Sequence, residues 1–309
     1  QGRCELAGGF LVEPDLNMIS GESLVRQAVL GQQYLKNTWG RAAVTGWNID
    51  SFGHSVQIPQ ICRKSGMESY VFSRGTAHGT GDQPSDFFWE SPDGSSVFVH
   101  KTPYNYQIGR QIGQQADTTD EVSELFRLMR SSTPHDAFMA MVGADANEQV
   151  FNPHLSDVVT TWNSWQTADA EAVIATPADY FNALQSSPHP LPTIENEEFV
   201  NQNHLETSDG VLPGTYGARI EVKKTNSRYE QLLLDTEKIS VFASLEGFDY
   251  PLSALMSATE LLALNQTHDY IGGCGIDDIY EDDDSIINDF GDRAALIEDN
   301  LTAVLDQSG

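Results

Sequence analysis

Residues 46–55, GWNIDSFGHS, decide the fold because they place the carboxylate of Asp50 between an apolar run and a turn. The apolar residues predict a buried strand, and Ser51, Gly53 and Ser55 are residue types that turn a chain at the end of a strand. Ligands bind at that end of the strands in α/β sheets. Asp50 is therefore a candidate for function, and the alternative that it caps the next helix stays open.

Short apolar strands alternate with helical patterns as far as about residue 184, which indicates βα units around a mostly parallel sheet. Ser20 can cap a helix that ends near residue 38, and SPDG at 91–94 predicts a hairpin. Further strands are predicted at 70–72, 137–142 and 172–175. The other predicted helices follow Ser55, start at residue 118 or 119, and lie near 153–165 and at 178–184.

A boundary between two domains is predicted at SSPHPLP, residues 186–192, because prolines and serines disfavour helices and strands. Residues 1–190 would form the α/β domain, and residues 191–309 a linker and a helical domain. Long helical patterns in the second part favour a small antiparallel three-helix bundle. They cover residues 219–245, 252–264 and 284–305.

The composition limits the classes of partner. The 309 residues include 45 Asp plus Glu against 17 Lys plus Arg, a formal charge of -28. Such a surface does not neutralise phosphates, so nucleic acid is excluded as a partner. No apolar run approaches the roughly 20 residues that span a bilayer, which predicts no membrane segment. The chain begins at Gln1 without a signal-peptide layout and is expected to be a fragment.

The cysteines and the charge together predict where the protein works. Cys4, Cys62 and Cys274 form no CxxC pair and are interpreted as free thiols or buried small residues. This favours a reducing, cytoplasmic setting. The acid excess leads to the hypothesis of a host with high internal salt, where screening suppresses the repulsion between carboxylates.

Asp145, in MVGADANEQ, follows a second predicted strand and so occupies the same kind of position as Asp50. Two carboxylates at the strand ends of one sheet are what glycoside hydrolysis needs, one to attack the anomeric carbon and one to protonate the leaving oxygen. The alternative for Asp145 is again a helix cap.

Other candidate residues lie further along the chain. His268 and Asp269 close a helical pattern. A neutral imidazole there could bind a metal, and the alternative is a histidine that the helix dipole stabilises in the C-terminal turn. Arg74, after the strand at 70–72, could hold a carboxylate or sugar hydroxyls, or form a surface ion pair. Tyr104 and Tyr106 could stack on a sugar ring or serve in packing.

Taken in order, these segments resemble glycoside hydrolase family 38, the zinc-dependent α-mannosidases. The pieces that carry the resemblance are FLVEPDLNMISGESLVRQ, GWNIDSFGHSVQIPQICRKSG, the Arg74 strand, FFWESPDGSSV, the GADAN loop, GTYGAR and YPLSALMSATELLALNQTHDYIGG. The resemblance implies a seven-stranded, barrel-like parallel α/β domain followed by a three-helix bundle that helps to build the active site.

The resemblance also implies a role for each site residue. Asp50 would be both zinc ligand and nucleophile, His268 a second zinc ligand, and Asp145 the acid and later the base of a retaining α-mannosidase. Zn²⁺ would bind vicinal hydroxyls of the mannose. The implied substrate is an α-mannoside or a mannose-containing oligosaccharide. Residues matched to substrate-contacting or neighbouring positions are Phe52, Arg74, Tyr106 and Asp269.

The chain departs from the family pattern at the metal site. The remaining zinc ligands of the family are a His and an Asp two residues apart, and no such pair precedes Asp50, so both are expected upstream of residue 1. Zinc normally takes three or four protein ligands, which predicts weak zinc binding and poor turnover here. A polysaccharide deacetylase-like enzyme and a catalytically silent carbohydrate-binding fragment stay open as alternatives, as does a homo-oligomer.

The charge hypothesis predicts a response to salt. The midpoint of thermal unfolding should rise between low salt and 1 M salt, because the Debye length shortens to about 3 Å at 1 M and repulsion among the carboxylates is screened. Calorimetry across a salt series measures this. A midpoint that stays constant or falls would contradict the hypothesis.

Overall fold

The computed structural model describes most of the chain, and every structural statement here concerns those residues. They are residues 4–75, 84–103, 106–114, 119–133, 135–143, 152–165, 170–196, 199 and 212–281. Asp145, Tyr104 and the helix predicted at 284–305 lie outside the described residues.

Six strands form one sheet in the order β1-β2-β3-β5-β4-β6. They are β1 (Ala7–Gly8), β2 (Thr45–Asn48), β3 (Ser69–Phe72), β4 (Asp86–Glu90), β5 (Ser96–Lys101) and β6 (Thr193–Glu195). Strands β1, β2, β3 and β5 are parallel, and β4 is antiparallel to β5. The mixed, mostly parallel α/β class is therefore confirmed, with six strands among the described residues where the resemblance implies seven.

Nine α-helices accompany the sheet in the described part of the chain. They are α1 (Gly21–Trp39), α2 (Ile58–Lys64), α3 (Thr119–Ser132), α4 (Leu155–Ser164), α5 (Pro177–Gln185), α6 (Ile220–Leu245), α7 (Leu252–Leu264), α8 (His268–Gly272) and α9 (Asp277–Glu281). The predicted cap of α1 is confirmed, because the Ser20 side chain accepts a hydrogen bond from the Ser23 amide. None of these helices is both long and apolar enough to span a membrane.

The central strand β3 is buried on both faces, which explains its continuous apolar sequence. Tyr70 and Phe72 belong to the cluster that α1 and α2 cover, whereas Val71 packs on the other face with Tyr180 and Phe181 of α5. The predicted hairpin is also confirmed, since β4 and β5 pair around the SPDG turn. These two covered faces leave the carboxyl end of the parallel strands as the place where polar side chains collect.

Two predicted strands are absent. Residues 137–142 form no strand: Ala137, Met139 and Met141 pack into one apolar cluster and the alternate residues into another. The segment thus shows the period-2 pattern of a strand although it pairs with no strand of the sheet. Residues 172–175 are irregular and largely exposed, and the Asn163 side chain bonds the Ala172 backbone.

The helical part of the chain packs against α1 through polar contacts. Arg26 donates two hydrogen bonds of 2.7 Å to Glu237 of α6, and Gln27 donates one of 2.6 Å to the carbonyl of Ala263 in α7. Helices α6 and α7 pack on each other through a small apolar cluster that includes Leu233 and Leu255. These bonded contacts set where the following residues, including His268, lie relative to the sheet.

Helix α1 approaches the loop after β1 so closely that Gly31 is required there. A Cβ on Gly31 would lie 2.3 Å from the backbone carbon of Phe10, whereas a Cβ on Gly21 of the same helix would meet nothing within 4 Å. Gly31→Ala should therefore lower the free energy of unfolding by about 1–3 kcal/mol. Urea unfolding measures this, with Gly21→Ala as the matched control. Equal stability of the two variants would contradict the packing described.

Candidate active site

Three charged side chains meet at the carboxyl end of the parallel strands. Asp50 follows β2 and Arg74 follows β3, and the Nε atom of Arg74 donates a short hydrogen bond to Oδ1 of Asp50. The Nε2 atom of His268 lies 3.5 Å from Oδ2 of the same carboxylate. Asp50 is not a helix cap, because the N-cap residue of α2 is Gln57. The structure thus brings together three of the residues that the sequence singled out.

His268 begins a helix rather than ending one, so the predicted position at the C-terminal end of a helix is wrong. Helix α7 ends at Leu264, and Thr267 is the N-cap residue of the short helix α8. The Nδ1 atom of His268 donates a hydrogen bond of 2.8 Å to the carbonyl of Glu13, since a carbonyl can only accept. This bond leaves Nε2 as the ring nitrogen that faces Asp50.

Glu13 is a residue of this site that the sequence did not single out. Its Oε1 atom accepts a hydrogen bond of 2.6 Å from the backbone amide of Asp50, and its carbonyl also accepts from the His268 amide at 3.1 Å. The available signal was an acid that directly follows the apolar run from Phe10 to Val12 and precedes Pro14 and Asp15. Acidic residues are seldom buried in such a run without a partner.

The pKa values of the site follow from burial and these contacts. Burial disfavours the charged form of Asp50, but the bonds from His268 and Arg74 outweigh it and hold the pKa of this carboxyl below its ordinary value. Burial also opposes protonation of His268, yet the bond to Asp50 and the charge of Glu13 raise its pKa to about 9. Burial raises the pKa of Glu13. Because its own pKa is lowered, Asp50 is a carboxylate at neutral pH.

Phe52 lies beneath the charged residues and is only 2% exposed. The rings of Phe52 and His268 form an edge-to-face contact with centroids 5.5 Å apart. The guanidinium carbon of Arg74 lies over the Phe52 ring, 5.4 Å from its centroid. The buried ring supports His268 and Arg74 from the protein side.

Two further predicted site residues, Tyr106 and Asp269, lie beside Arg74 and His268. Tyr106 forms a hydrogen bond with Arg74 through its side chain. Asp269 is mostly exposed, with its Oδ1 atom 3.9 Å from Nε2 of His268. Asp145 lies outside the described residues.

Asp50 and His268 fit as two ligands of one zinc ion. A tetrahedral ion with oxygen and nitrogen ligands at about 2.0–2.1 Å holds two donor atoms about 3.4 Å apart. The separation of Oδ2 and Nε2 is 3.5 Å, and the bond from Nδ1 to a carbonyl is the usual support of a metal-binding histidine. The described residues include no cluster of three or more potential ligands from His, Cys, Asp and Glu.

Comparison with known proteins identifies the family over most of the chain. A model of the glycosyl hydrolases family 38 N-terminal domain matches residues 1–200, and one of the alpha mannosidase middle domain matches residues 211–304. Alpha-mannosidase 2C1 of Mus musculus is 30% identical over 289 residues, covering 91% of this chain and 26% of that protein. Alpha-mannosidase of Saccharomyces cerevisiae is 26% identical, covering 89% of this chain and 25% of that protein.

A solved structure of similar fold is that of an alpha-mannosidase from Enterococcus faecalis V583. It matches with a TM-score of 0.82 and 23% identity, covering 97% of this chain and 34% of that one. This likeness concerns the fold. The chain spans about a quarter of the length of the curated relatives it matches.

The raised pKa of His268 predicts how stability depends on pH in metal-free buffer. The folded chain holds this proton up to about pH 9, against 6.5 for a free histidine. The stabilisation is therefore complete below pH 6.5 and is lost as pH rises through 9, by up to about 3 kcal/mol. Urea unfolding with a chelator, from pH 6 to 10, measures it. A pH dependence that His268→Gln leaves unchanged would contradict the assignment.

Proposed function

Because the chain belongs to glycosyl hydrolase family 38, we propose that it forms the catalytic part of a retaining α-mannosidase with Asp50 as the nucleophile. The observation that carries this proposal is the environment of Asp50. Its carboxylate lies at the carboxyl end of β2, where Arg74 and His268 keep it ionised. An ionised and oriented carboxylate is what attack on an anomeric carbon requires.

The proposed reaction has two displacements. An oxygen of Asp50 attacks the anomeric carbon of a terminal α-mannoside while Asp145 gives a proton to the leaving oxygen, and a mannosyl ester of Asp50 forms. Asp145 then takes a proton from water, which attacks the same carbon and releases Asp50. Each displacement inverts the carbon, so the product keeps the α configuration.

Arg74 orients the nucleophile in this proposal. Its bond to Oδ1 leaves Oδ2 on the side of His268, and a guanidinium stays charged throughout the reaction. Tyr106 holds the guanidinium, and Phe52 supports it from below. Asp269 is exposed beside His268 and is proposed to accept hydrogen bonds from sugar hydroxyls.

We propose that Zn²⁺ is held by Asp50 and His268, where it would supply a template and Lewis acid for the vicinal hydroxyls of mannose. His268 must lose its Nε2 proton to act as a ligand, so protons compete with the metal. The described residues supply two ligands where zinc sites take three or four, and reduced metal affinity and turnover remain predictions.

The finer architecture and setting also remain proposals. Helices α6 and α7 carry exposed apolar side chains, including Phe242, Leu245, Leu252 and Met256, against which a third helix of a bundle could pack. A closed barrel with a seventh strand, the division of the chain near residue 190, a cytoplasmic high-salt setting and a homo-oligomer are further expectations.

Substitution of the proposed nucleophile tests the function. Asp50→Asn keeps the size of the side chain but removes its charge, so hydrolysis of an aryl α-mannoside with added zinc should fall by at least about 10³-fold. Asp93→Asn, in the SPDG turn, is the control and should retain activity. NMR of the first product formed from the parent chain should show the α anomer.

Each alternative predicts a different result. Activity that survives Asp50→Asn would refute the nucleophile assignment, and a β anomer as first product would refute retention. Release of acetate from an acetylated sugar, without mannoside hydrolysis, would favour the deacetylase. Sugar binding without turnover would favour a silent binding fragment.

A further inference from the structure

Glu13 contacts both Asp50 and His268 through two different parts of the residue. We infer that Glu13 is a positioning residue, whose carboxylate fixes the backbone of Asp50 while its carbonyl fixes the ring of His268. The inference rests on the proposed function, because it assumes that these two residues act together. In this inference Glu13 acts through Asp50 and His268 and not on the substrate itself.

The carboxylate of Glu13 acts on the turn that carries the nucleophile. The Asp50 amide donates to its Oε1 atom at 2.6 Å, a short hydrogen bond to a carboxyl oxygen in a partly buried place. The next residue is bonded as well, since the Ser51 hydroxyl donates to the carbonyl of Pro14 at 2.7 Å. The backbone after β2 is therefore held by residues 13 and 14, which leaves the Asp50 side chain to Arg74 and His268.

The carbonyl of Glu13 acts on the imidazole. It accepts from the His268 amide at 3.1 Å and from the ring Nδ1 atom at 2.8 Å, so both of its lone pairs are used. The flanking backbone supports this geometry, because Pro14 and Thr267 form an antiparallel bridge and the Asp15 amide donates to the Gln266 carbonyl at 3.0 Å. One peptide segment thus sets the distance between Asp50 and the imidazole.

A positioning role predicts a specific kinetic result. Glu13→Ala removes the acceptor of the Asp50 amide, so kcat on an aryl α-mannoside with zinc should fall about 10- to 100-fold while KM changes less than about twofold. Glu13→Gln keeps an acceptor oxygen of the same reach and should restore most of kcat. The carbonyl of residue 13 is present in every variant, so these changes isolate the carboxylate.

Glu5 provides a matched control. Its carboxylate also accepts from a backbone amide, that of Ala178 at 2.7 Å, and from the Thr45 hydroxyl, where β2 begins rather than where it ends. Glu5→Ala should therefore cost stability without changing kcat. An equal loss of kcat in Glu5→Ala and Glu13→Ala would mean that Glu13 matters only for folding, and would overturn the inference.

A second measurement does not depend on activity. Hydrogen exchange at the Asp50 amide, followed by NMR on chain labelled with ¹⁵N-aspartate, should speed up about tenfold or more in Glu13→Ala and little in Glu13→Gln. Unchanged exchange in Glu13→Ala would overturn the inference even if the parent chain hydrolyses nothing. If Glu13→Ala does not fold, Glu13→Asp, which is one methylene shorter, replaces it with the same expected losses.

The two proposals fail in different ways. If Asp50→Asn stays active, the proposed function is wrong, whatever Glu13 does. If Asp50→Asn is inactive while Glu13→Ala keeps kcat within about twofold of the parent, the function stands and the role of Glu13 is refuted.

Discussion

The candidate site depends on the hydrogen bonds that residues 13–15 make to two distant parts of the chain. On one side they bond Asp50 and Ser51 after β2, and on the other they bond the turn at residues 266–268. The sheet supplies the carboxylate and its arginine, and the helical part supplies the imidazole. Neither part holds all three residues alone, so this arrangement requires the docking of α6 and α7 on α1.

Local patterns predicted what is locally determined. Ser20 caps α1 and SPDG turns the hairpin because each needs only neighbouring residues. The start of α8 at His268 depends instead on a bond to Glu13, which no local pattern contains. Residues 137–142 alternate like a strand because they lie between two apolar clusters, and periodicity cannot distinguish that position from a sheet.

Electrostatics at the site differ from those of the chain as a whole. With 17 Lys and Arg against 45 Asp and Glu, most carboxylates cannot be paired one to one with a lysine or an arginine. Yet two basic groups, Arg74 and His268 with its raised pKa, both face Asp50 in a partly buried space and offset its negative charge. This local balance keeps Asp50 ionised where further uncompensated acids would favour its protonation.

The bond between Glu13 and His268 joins residues 255 positions apart. Closing this loop has an entropic cost, which the packing between the two segments must offset. The two halves of the site are therefore assembled only in the state in which both segments are packed together. A ligand that binds Asp50 and His268 at once would stabilise that state by mass action, and would link the beginning of the sequence to its final third.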